Sequence, residues 1–244
     1  MNLKINRLLN KLKIKYGDNL IIHSSFKPLS KHGVDANLFL KEILSKIGKH
    51  GTLIMPTLSW KKVKKNKKFN YLKTLPDTGI LPKILLKKFP YNRSFHPTHS
   101  VVVLGKKKNY LLKDIKKKNK ITPCNPSGIW GKILKLNPKI ILINVLLEKC
   151  TIIHLFEEMY LGDFFLKKNF KKYNCIDQDG NKKTFYLKDH QSYKIKKYKR
   201  NFNKYFDFLK KNKLVNKLTI KNDVFVYQIK ARDLEAAFIN KLTS

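Results

Sequence analysis

The chain has 244 residues, 42% of them hydrophobic, and its 54 lysines and arginines against 16 aspartates and glutamates give a formal net charge of +38 at pH 7. This length fits one large domain or two small ones with a sizeable core, so the chain should fold on its own. No apolar run approaches the roughly 20 residues that span a bilayer, and the first residues lack a signal-peptide apolar block. We therefore expect a cytoplasmic protein with no membrane partner.

The three cysteines, Cys124, Cys150 and Cys175, are unevenly spaced and never form a C-x-x-C pair. Neither a disulfide framework nor a thiolate metal site is indicated by so few cysteines at such spacing. We interpret them as packing residues.

The positive charge by itself favours nucleic acid as a partner, because clustered cations release counterions from phosphates. Only four of the basic residues are arginine, the side chain preferred for bidentate phosphate contacts, and the lysines are spread over nearly every polar segment. This distribution favours solvated faces over a specific polyanion site, so only non-specific contact with nucleic acid is expected. The lysine-rich segment 61–68 is a candidate for a mobile, positively charged loop.

Four near-continuous apolar runs predict strands that are buried on both faces. They are 19–25, 51–57, 99–105 and 139–147. Segments with helical periodicity lie between them, at 36–47, 79–89 and 107–119. Alternating strands and helices predict an α/β fold in which helices cover a largely parallel or mixed central sheet.

The sequence pattern changes after residue 162. Two alternating segments flank Asp179 and Gly180, a pattern typical of a β-hairpin, which we interpret as a flap over the core. A helix at 201–212, a strand at 222–230 and a last helix from 231 complete the chain. We thus predict a single domain over 1–244, with a core of about 1–165 and 200–244 and a hairpin insertion of about 166–199.

Short hydroxyl and imidazole side chains follow the apolar runs, at the edge of an open α/β sheet where ligands bind. They are, in chain order, His23, Ser24, Ser25, Thr57, Thr151 and His154, with Glu148 between the last strand and Thr151. The segment 93–100, "RSFHPTHS", instead precedes its strand, and Pro97 stiffens it.

The stretch "CTIIHLFEE", 150–158, contains the strongest local candidate for a catalytic group. Thr151 is a predicted N-cap, which places His154 in the first helical turn and Glu157 three residues later on the same face. The helix dipole disfavours the imidazolium and a carboxylate orients the ring, an arrangement suited to a general base. Taken alone, the pattern favours a hydrogen-bonded core histidine. A metal site is weaker still, since H-E-x-x-H is absent.

Four motifs together resemble the aminoglycoside 3-N-acetyltransferase family. They are H-S-S at 23–25, G-T-L-x-M-P-T at 51–57, R-S-x-H-P-x-H-S at 93–100 and T-x-x-H-x-x-E at 151–157. The resemblance covers nearly the whole chain. It departs at Asn144, where the family usually has glycine, at Glu148, where it has aspartate, and around Ser127, where the G-x-x-S-P loop is out of register.

The resemblance implies a three-layer α/β sandwich and acetyl transfer from acetyl-coenzyme A to an amino group, with no metal. His154 would be the general base, supported by Glu157 and Glu148, and Thr151 would supply an oxyanion donor. The other matched polar residues would line the coenzyme and acceptor clefts. They are Ser24, Ser25, Thr57, His96, Thr98, His99 and Ser100.

The acceptor is expected to be an aminoglycoside or another amino sugar. A polycationic aminoglycoside would have to be attracted by local carboxylates, and the candidates are Glu148, Glu157, Glu158 and Asp163. An anionic amino sugar, such as a nucleotide-linked one, would be steered more easily by this charge. Two alternatives stay open: a basic nucleic-acid binder without activity, and a family member that binds coenzyme A without turnover. The sequence also leaves a homo-oligomer open.

Overall fold

The computed structural model of the protein describes residues 3–113, 119–191, 194–195, 198–220 and 223–243. Parts of the predicted helix at 107–119, the hairpin insertion at 166–199 and the strand at 222–230 lie outside the described residues. No helix among the described residues is long and apolar enough to cross a membrane.

The described strands, numbered in chain order, are β1 (Asn19–Ser24), β2 (Thr52–Pro56), β3 (Lys68–Asn70), β4 (Val101–Gly105), β5 (Lys120–Ile121), β6 (Lys139–Ile143), β7 (Lys171–Ile176), β8 (Lys182–Leu187), β9 (Lys194–Ile195), β10 (Tyr198–Lys199), β11 (Val215–Ile220) and β12 (Val224–Lys230). The described helices are α1 (Leu3–Lys11), α2 (Lys27–Lys31), α3 (Ala36–Ile47), α4 (Trp60–Asn66), α5 (Ile80–Lys88), α6 (Lys108–Leu112), α7 (Ile129–Lys135), α8 (Ile152–Tyr160), α9 (Tyr205–Lys211) and α10 (Ala231–Thr243). Two 3₁₀ segments, Leu147–Lys149 and Phe202–Lys204, precede α8 and α9.

A mixed six-stranded sheet in the order β11-β12-β6-β1-β2-β4 forms the middle layer. The strands β6, β1 and β2 run parallel, whereas β4 and β12 pair antiparallel with the two outer members of this trio. Successive side chains of a strand face opposite sides. On β6, Ile140 and Leu142 therefore pack with α7 to α10, and Ile141 and Ile143 pack with α1, α3 and α5. The predicted α/β sheet covered by helices on both faces is confirmed.

A second sheet, in the order β3-β7-β8-β5, contains the predicted hairpin. Its strands β7 and β8 pair antiparallel around the turn near Gly180, as the sequence pattern predicts. The hairpin is flanked on both sides, since β3 pairs with β7 and β5 pairs with β8. It is thus the centre of a small sheet.

The prediction of a mobile loop at 61–68 is wrong, because this segment forms α4 and the start of β3. Two apolar side chains anchor it: Val63 and Phe69 are each 1% exposed and pack with Tyr173, Cys175 and Leu187. Burying each such side chain is worth roughly 1.5–3 kcal/mol, enough to hold a short helix in which Lys61, Lys62 and Lys65 are exposed.

Several predicted boundaries also move. The run 139–147 ends as a strand at Ile143, because Asn144 adopts a left-handed backbone conformation with φ of 49° and turns the chain. The described part of the helix at 107–119 begins at Lys108 and ends at Leu112. The edge strand β11 was not predicted from the sequence.

Because β4 and β12 run antiparallel to β2 and β6, their first residues lie at the edge of the main sheet where β2 and β6 end. Val101, the first residue of β4, pairs with Pro56 at the end of β2, and Val226 near the start of β12 pairs with Ile143 at the end of β6. The segment 93–100 therefore meets the carboxyl ends of β1 and β2, although it precedes its own strand. This edge holds the candidate site.

Candidate active site

A cleft of about 990 Å³ opens at the carboxyl edge of the parallel strands. Its volume lies at the upper end of the range that is common for small-molecule and cofactor sites. It brings together seven of the residues singled out in the sequence. They are His23, Ser24, Ser25, His99, Glu148, Thr151 and His154.

The helix α8 carries His154 to the cleft. Its residues Ile152, Ile153, Leu155 and Phe156 are fully buried in the main core, so the helix is fixed by one apolar face. The side chain of His154 between them is 14% exposed and lines the cleft. The local sequence thus places one imidazole at the boundary between core and cavity.

Thr151 occupies the N-cap position of α8, but the expected side-chain cap is absent. Its backbone lies in the helical region, with φ of −60° and ψ of −30°, whereas a capping residue is usually extended. Thr151 is 3% exposed and lines the cleft beside His154. Thr151 therefore belongs to the cleft wall.

His154, Glu157 and Arg200 form a buried hydrogen-bonded chain. The His154 Nδ1 lies 2.7 Å from Glu157 Oε2, so an Nδ1–H donates to the carboxylate and Nε2 is the remaining ring nitrogen. Arg200 Nη2 donates to Glu157 Oε2 at 3.0 Å, and its Nε lies 2.8 Å from Oε1. Glu157 and Arg200 are both 2% exposed at their side chains. The carboxylate is thus held by a cation on one side and orients the imidazole on the other.

His190, for which the sequence indicated no role, also lines the cleft. Its ring centroid lies 4.3 Å from that of His154 and 5.2 Å from that of His99. Burial, reinforced by the neighbouring His154, holds the pKa of His190 well below its ordinary value, so it stays neutral near pH 7. An isolated antiparallel β-bridge between Leu166 and His190 holds this histidine at the cleft. No local sequence pattern indicates that bridge.

Glu158 lies behind this group of rings. It accepts hydrogen bonds from the Thr122 hydroxyl and from the Cys124 backbone N–H, the latter at 2.8 Å, and its Oε1 lies 3.6 Å from His190 Nε2. Burial raises the pKa of Glu158 to about 7 despite these donors. The carboxyl group is therefore partly protonated at neutral pH.

Four residues predicted to line the clefts do not line this one. They are Thr57, His96, Thr98 and Ser100. Thr57 and Ser100 are fully buried and share a 2.8 Å hydrogen bond between their hydroxyls, and Ser100 also accepts from Arg93 Nε at 2.9 Å. These hydroxyls instead fix segment 93–100 against β2.

His96 and Thr98 shape the turn that carries His99. His96 Nδ1 accepts from the backbone N–H groups of Thr98 and His99, at 3.1 and 2.9 Å, and its Nε2 lies 3.2 Å from Thr122 O. Thr98 Oγ1 lies 2.9 Å from His99 Nδ1. Burial lowers the pKa of His96 to about 4, so it remains a neutral acceptor for both N–H groups. The pair orients His99, which does line the cleft.

The four carboxylates expected to form an acidic cluster have separate partners. Glu157 pairs with Arg200, Glu158 accepts from Thr122, and Asp163 pairs with Lys188. Among them only Glu148 lines the cleft, where it accepts from Asn203 Nδ2.

The departures from the family motifs are local. Asn144 holds a left-handed conformation, which asparagine tolerates better than other residues with a side chain, and its Nδ2 donates to Asp223 O at 2.6 Å. Ser127 is exposed, and its N–H donates to Asn125 Oδ1 at 2.8 Å. The backbone turn at Asn144, where the family usually has glycine, is preserved.

Among the described residues, no group of three or more His, Cys, Asp or Glu could hold a metal ion.

Several solved structures share this fold. Aminoglycoside acetyltransferase AAC(3)-IIb superposes with a TM-score of 0.77 at 16% identity, covering 98% of this chain and 94% of that one. AAC-IIIb in a binary complex with CoASH gives 0.75 at 14%, with coverage of 98% and 94%. A mutant of AAC(3)-IVa in complex with a gentamicin gives 0.73 at 23%, with coverage of 98% and 86%. The architecture is thus that of the aminoglycoside acetyltransferases.

A family model described as aminoglycoside 3-N-acetyltransferase matches residues 21–242. The chain belongs to this family of acyltransferases, as the four sequence motifs predict. No curated protein matches the chain at a significant level.

Proposed function

We propose that the protein transfers the acetyl group of acetyl-coenzyme A to an amino group of an aminoglycoside or amino-sugar acceptor, with His154 as general base. The observation that carries the proposal is the pairing of His154 Nδ1 with the buried Glu157 beside a cleft of about 990 Å³. This pairing leaves Nε2 as the nitrogen available to a substrate in that cleft.

The reaction requires one proton to be moved. The neutral acceptor nitrogen attacks the thioester carbonyl carbon, and His154 Nε2 takes the proton from that nitrogen as the C–N bond forms. The resulting imidazolium is stabilised by Glu157, which Arg200 holds in place. When the C–S bond breaks, His154 returns the proton to the departing coenzyme A thiolate, so no external reagent is needed.

Thr151 is the proposed donor to the oxyanion of the tetrahedral intermediate, because it lines the cleft one helical turn before His154. Removal of a single oxyanion donor typically costs 10²- to 10³-fold in kcat. Ser24 and Ser25 are the proposed polar contacts to the coenzyme, with Lys27 beside them on the same wall. Glu148 lies in the same cleft as a candidate contact to the acceptor amine, whereas Thr57, His96, Thr98 and Ser100 support the wall from behind.

A thiol-release assay tests this function. Purified protein is supplied with acetyl-coenzyme A and a panel of aminoglycosides and amino sugars, and the same panel is run with His154→Ala. We expect amine-dependent release of coenzyme A, with kcat reduced about 10²- to 10⁴-fold in the variant. His50→Ala is the control, since His50 is exposed and contacts the ring of Tyr16. Equal rates for His154→Ala and the control would refute the assignment of the base.

A further inference from the structure

One wall of the cleft carries a group of lysines around a single carboxylate. We name it the Lys64 cluster; it comprises Lys64, Lys67, Lys167, Lys171 and Asp189. Asp189 is 2% exposed, and its Oδ2 lies 3.3 Å from Lys171 Nζ. The charge of Asp189 also acts on Lys64 and Lys67, and the cluster holds four lysines for one carboxylate, an excess of positive charge.

The excess charge is incompletely screened by solvent. Lys64 is half-buried on α4, and burial lowers its pKa; the neighbouring lysines lower it further, whereas Asp189 opposes the shift. Like charges at short range repel, and an anion placed among them relieves this repulsion. Lys64 and Lys167 are the two members of the cluster that line the cleft.

The cluster lies next to the proposed base. The Lys167 backbone N–H donates to Asp189 O at 2.9 Å. His190 follows Asp189 in the chain, and its ring centroid lies 4.3 Å from that of His154. An anion held by Lys64 and Lys167 would therefore share the cleft with the amine that reaches His154.

The cleft as a whole has the same sign. Five lysines line it among the described residues, against two carboxylates, Asp77 and Glu148, while the charge of Arg200 is met by Glu157. An aminoglycoside with several ammonium groups would enter an unfavourable field here, whereas an anionic molecule is attracted.

We propose that Lys64 and Lys167 form a phosphate-binding subsite for the acceptor, and that the acceptor is an amino sugar carrying a phosphate or diphosphate group, as in a nucleoside diphosphate amino sugar. This inference rests on the proposed function. Lysine ammonium groups are point-charge donors suited to phosphate oxygens, and the phosphate would hold the sugar with its amine toward His154.

Binding to the full chain tests the subsite without turnover. Isothermal titration is performed with glucosamine, glucosamine 1-phosphate and uridine diphosphate glucosamine, for the native chain and for Lys64→Gln combined with Lys167→Gln. We expect the phosphorylated probes to bind at least about 10-fold more tightly than glucosamine, and the double variant to lose about 10- to 100-fold in affinity for them alone. Lys65→Gln is the matched control, because Lys65 is exposed on the same helix outside the cleft.

Coenzyme A also carries phosphate groups. Two further titrations test whether the lysines bind the coenzyme and not the acceptor. Titration with coenzyme A and with dephospho-coenzyme A should give the same affinities for the native chain and the double variant. A loss confined to coenzyme A, or equal binding of glucosamine and its phosphorylated forms, would overturn the inference. Acetyl transfer to phosphorylated amino sugars with unchanged KM in the double variant would overturn the subsite alone. Phosphate-dependent binding without any thiol release would sustain the subsite and refute the proposed function.

Discussion

His154 depends on two residues that are distant from each other in sequence. Glu157 is one helical turn away and fixes the tautomer of the ring, whereas Arg200 follows the small sheet and balances the charge of Glu157. A buried carboxylate without a cation would be costly, since desolvation disfavours its charged form. Arg200 therefore supports both the stability of the fold and the orientation of the proposed base.

Arg200→Ala should lower the free energy of unfolding by about 3–5 kcal/mol, because it leaves Glu157 buried and uncompensated. It should also reduce kcat more than KM, since the imidazole loses its fixed carboxylate. Urea unfolding and acetyl-transfer kinetics measure the two effects.

Arg7→Ala is the control, because Arg7 is an exposed arginine on α1. Substitutions at exposed surface positions usually change stability by about 0.5 kcal/mol or less. Equal stability losses in the two arginine variants would contradict the role given to Arg200.

Asn144 preserves a turn at which the family usually has glycine. Its φ of 49° disfavours alanine, whereas glycine adopts this conformation freely. We expect Asn144→Ala to be less stable than Asn144→Gly by about 1 kcal/mol, since both lose the hydrogen bond to Asp223 O but only alanine adds backbone strain. Urea titration of the two variants measures this difference, and greater stability of the alanine variant would argue against it.

Among the helices and strands, the sequence predicts those that have a clear local hydrophobic pattern. The four buried strands and α3 follow from local hydrophobic patterns, and the hairpin follows from its turn and alternation. The helix α4 is not predicted, because its lysines outnumber its single buried side chain, Val63. Local patterns also cannot show pairing, so the antiparallel direction of β4, which brings His99 into the cleft, appears only in the structure.

The same limit applies to the candidate site. The sequence indicated His154 and Glu157, which lie in one helical turn, and the strand-end serines. Arg200 and His190 reach the site through the small sheet and the loops that follow it, so no spacing in the sequence signals them. Thr57 and Ser100 matched the motifs, yet the structure places them behind the cleft wall.

The turn before β4 should be sensitive to acid. His96 has a pKa lowered from 6.5 to about 4 in the folded protein, so its stabilising contribution is complete above pH 6.5 and is lost as the pH falls toward 4. The full loss would be roughly 3 kcal/mol. His96→Asn keeps an acceptor near the position of Nδ1 without titrating.

Urea unfolding of both proteins between pH 7 and pH 4.5 measures the difference. We expect the native chain to lose more stability than His96→Asn over this range. Parallel curves for the two proteins would contradict the assignment of His96 as a neutral acceptor.

At the scale of the whole molecule, the formal charge of +38 should favour anionic acceptors over cationic ones. Reversing charge within the cleft, with Lys64→Glu and Lys167→Glu together, should lower the KM for an aminoglycoside such as gentamicin and raise it for a phosphorylated amino sugar. Steady-state kinetics at low ionic strength show the effect most clearly, since salt screens it. Lys65→Glu should leave both KM values nearly unchanged. A KM for gentamicin that rises in the double variant would contradict this electrostatic account.

The central physical claim is that the proposed base is a neutral imidazole protonated toward Glu157 and bare toward the cleft. Nuclear magnetic resonance of ¹⁵N-labelled histidine, assigned by comparison with His154→Ala, measures this state directly. We predict that at pH 7.5, with coenzyme A added, His154 shows a protonated Nδ1 and an unprotonated Nε2. A ring that carries its single proton on Nε2 would contradict the account, because no nitrogen would remain to accept the proton from the amine.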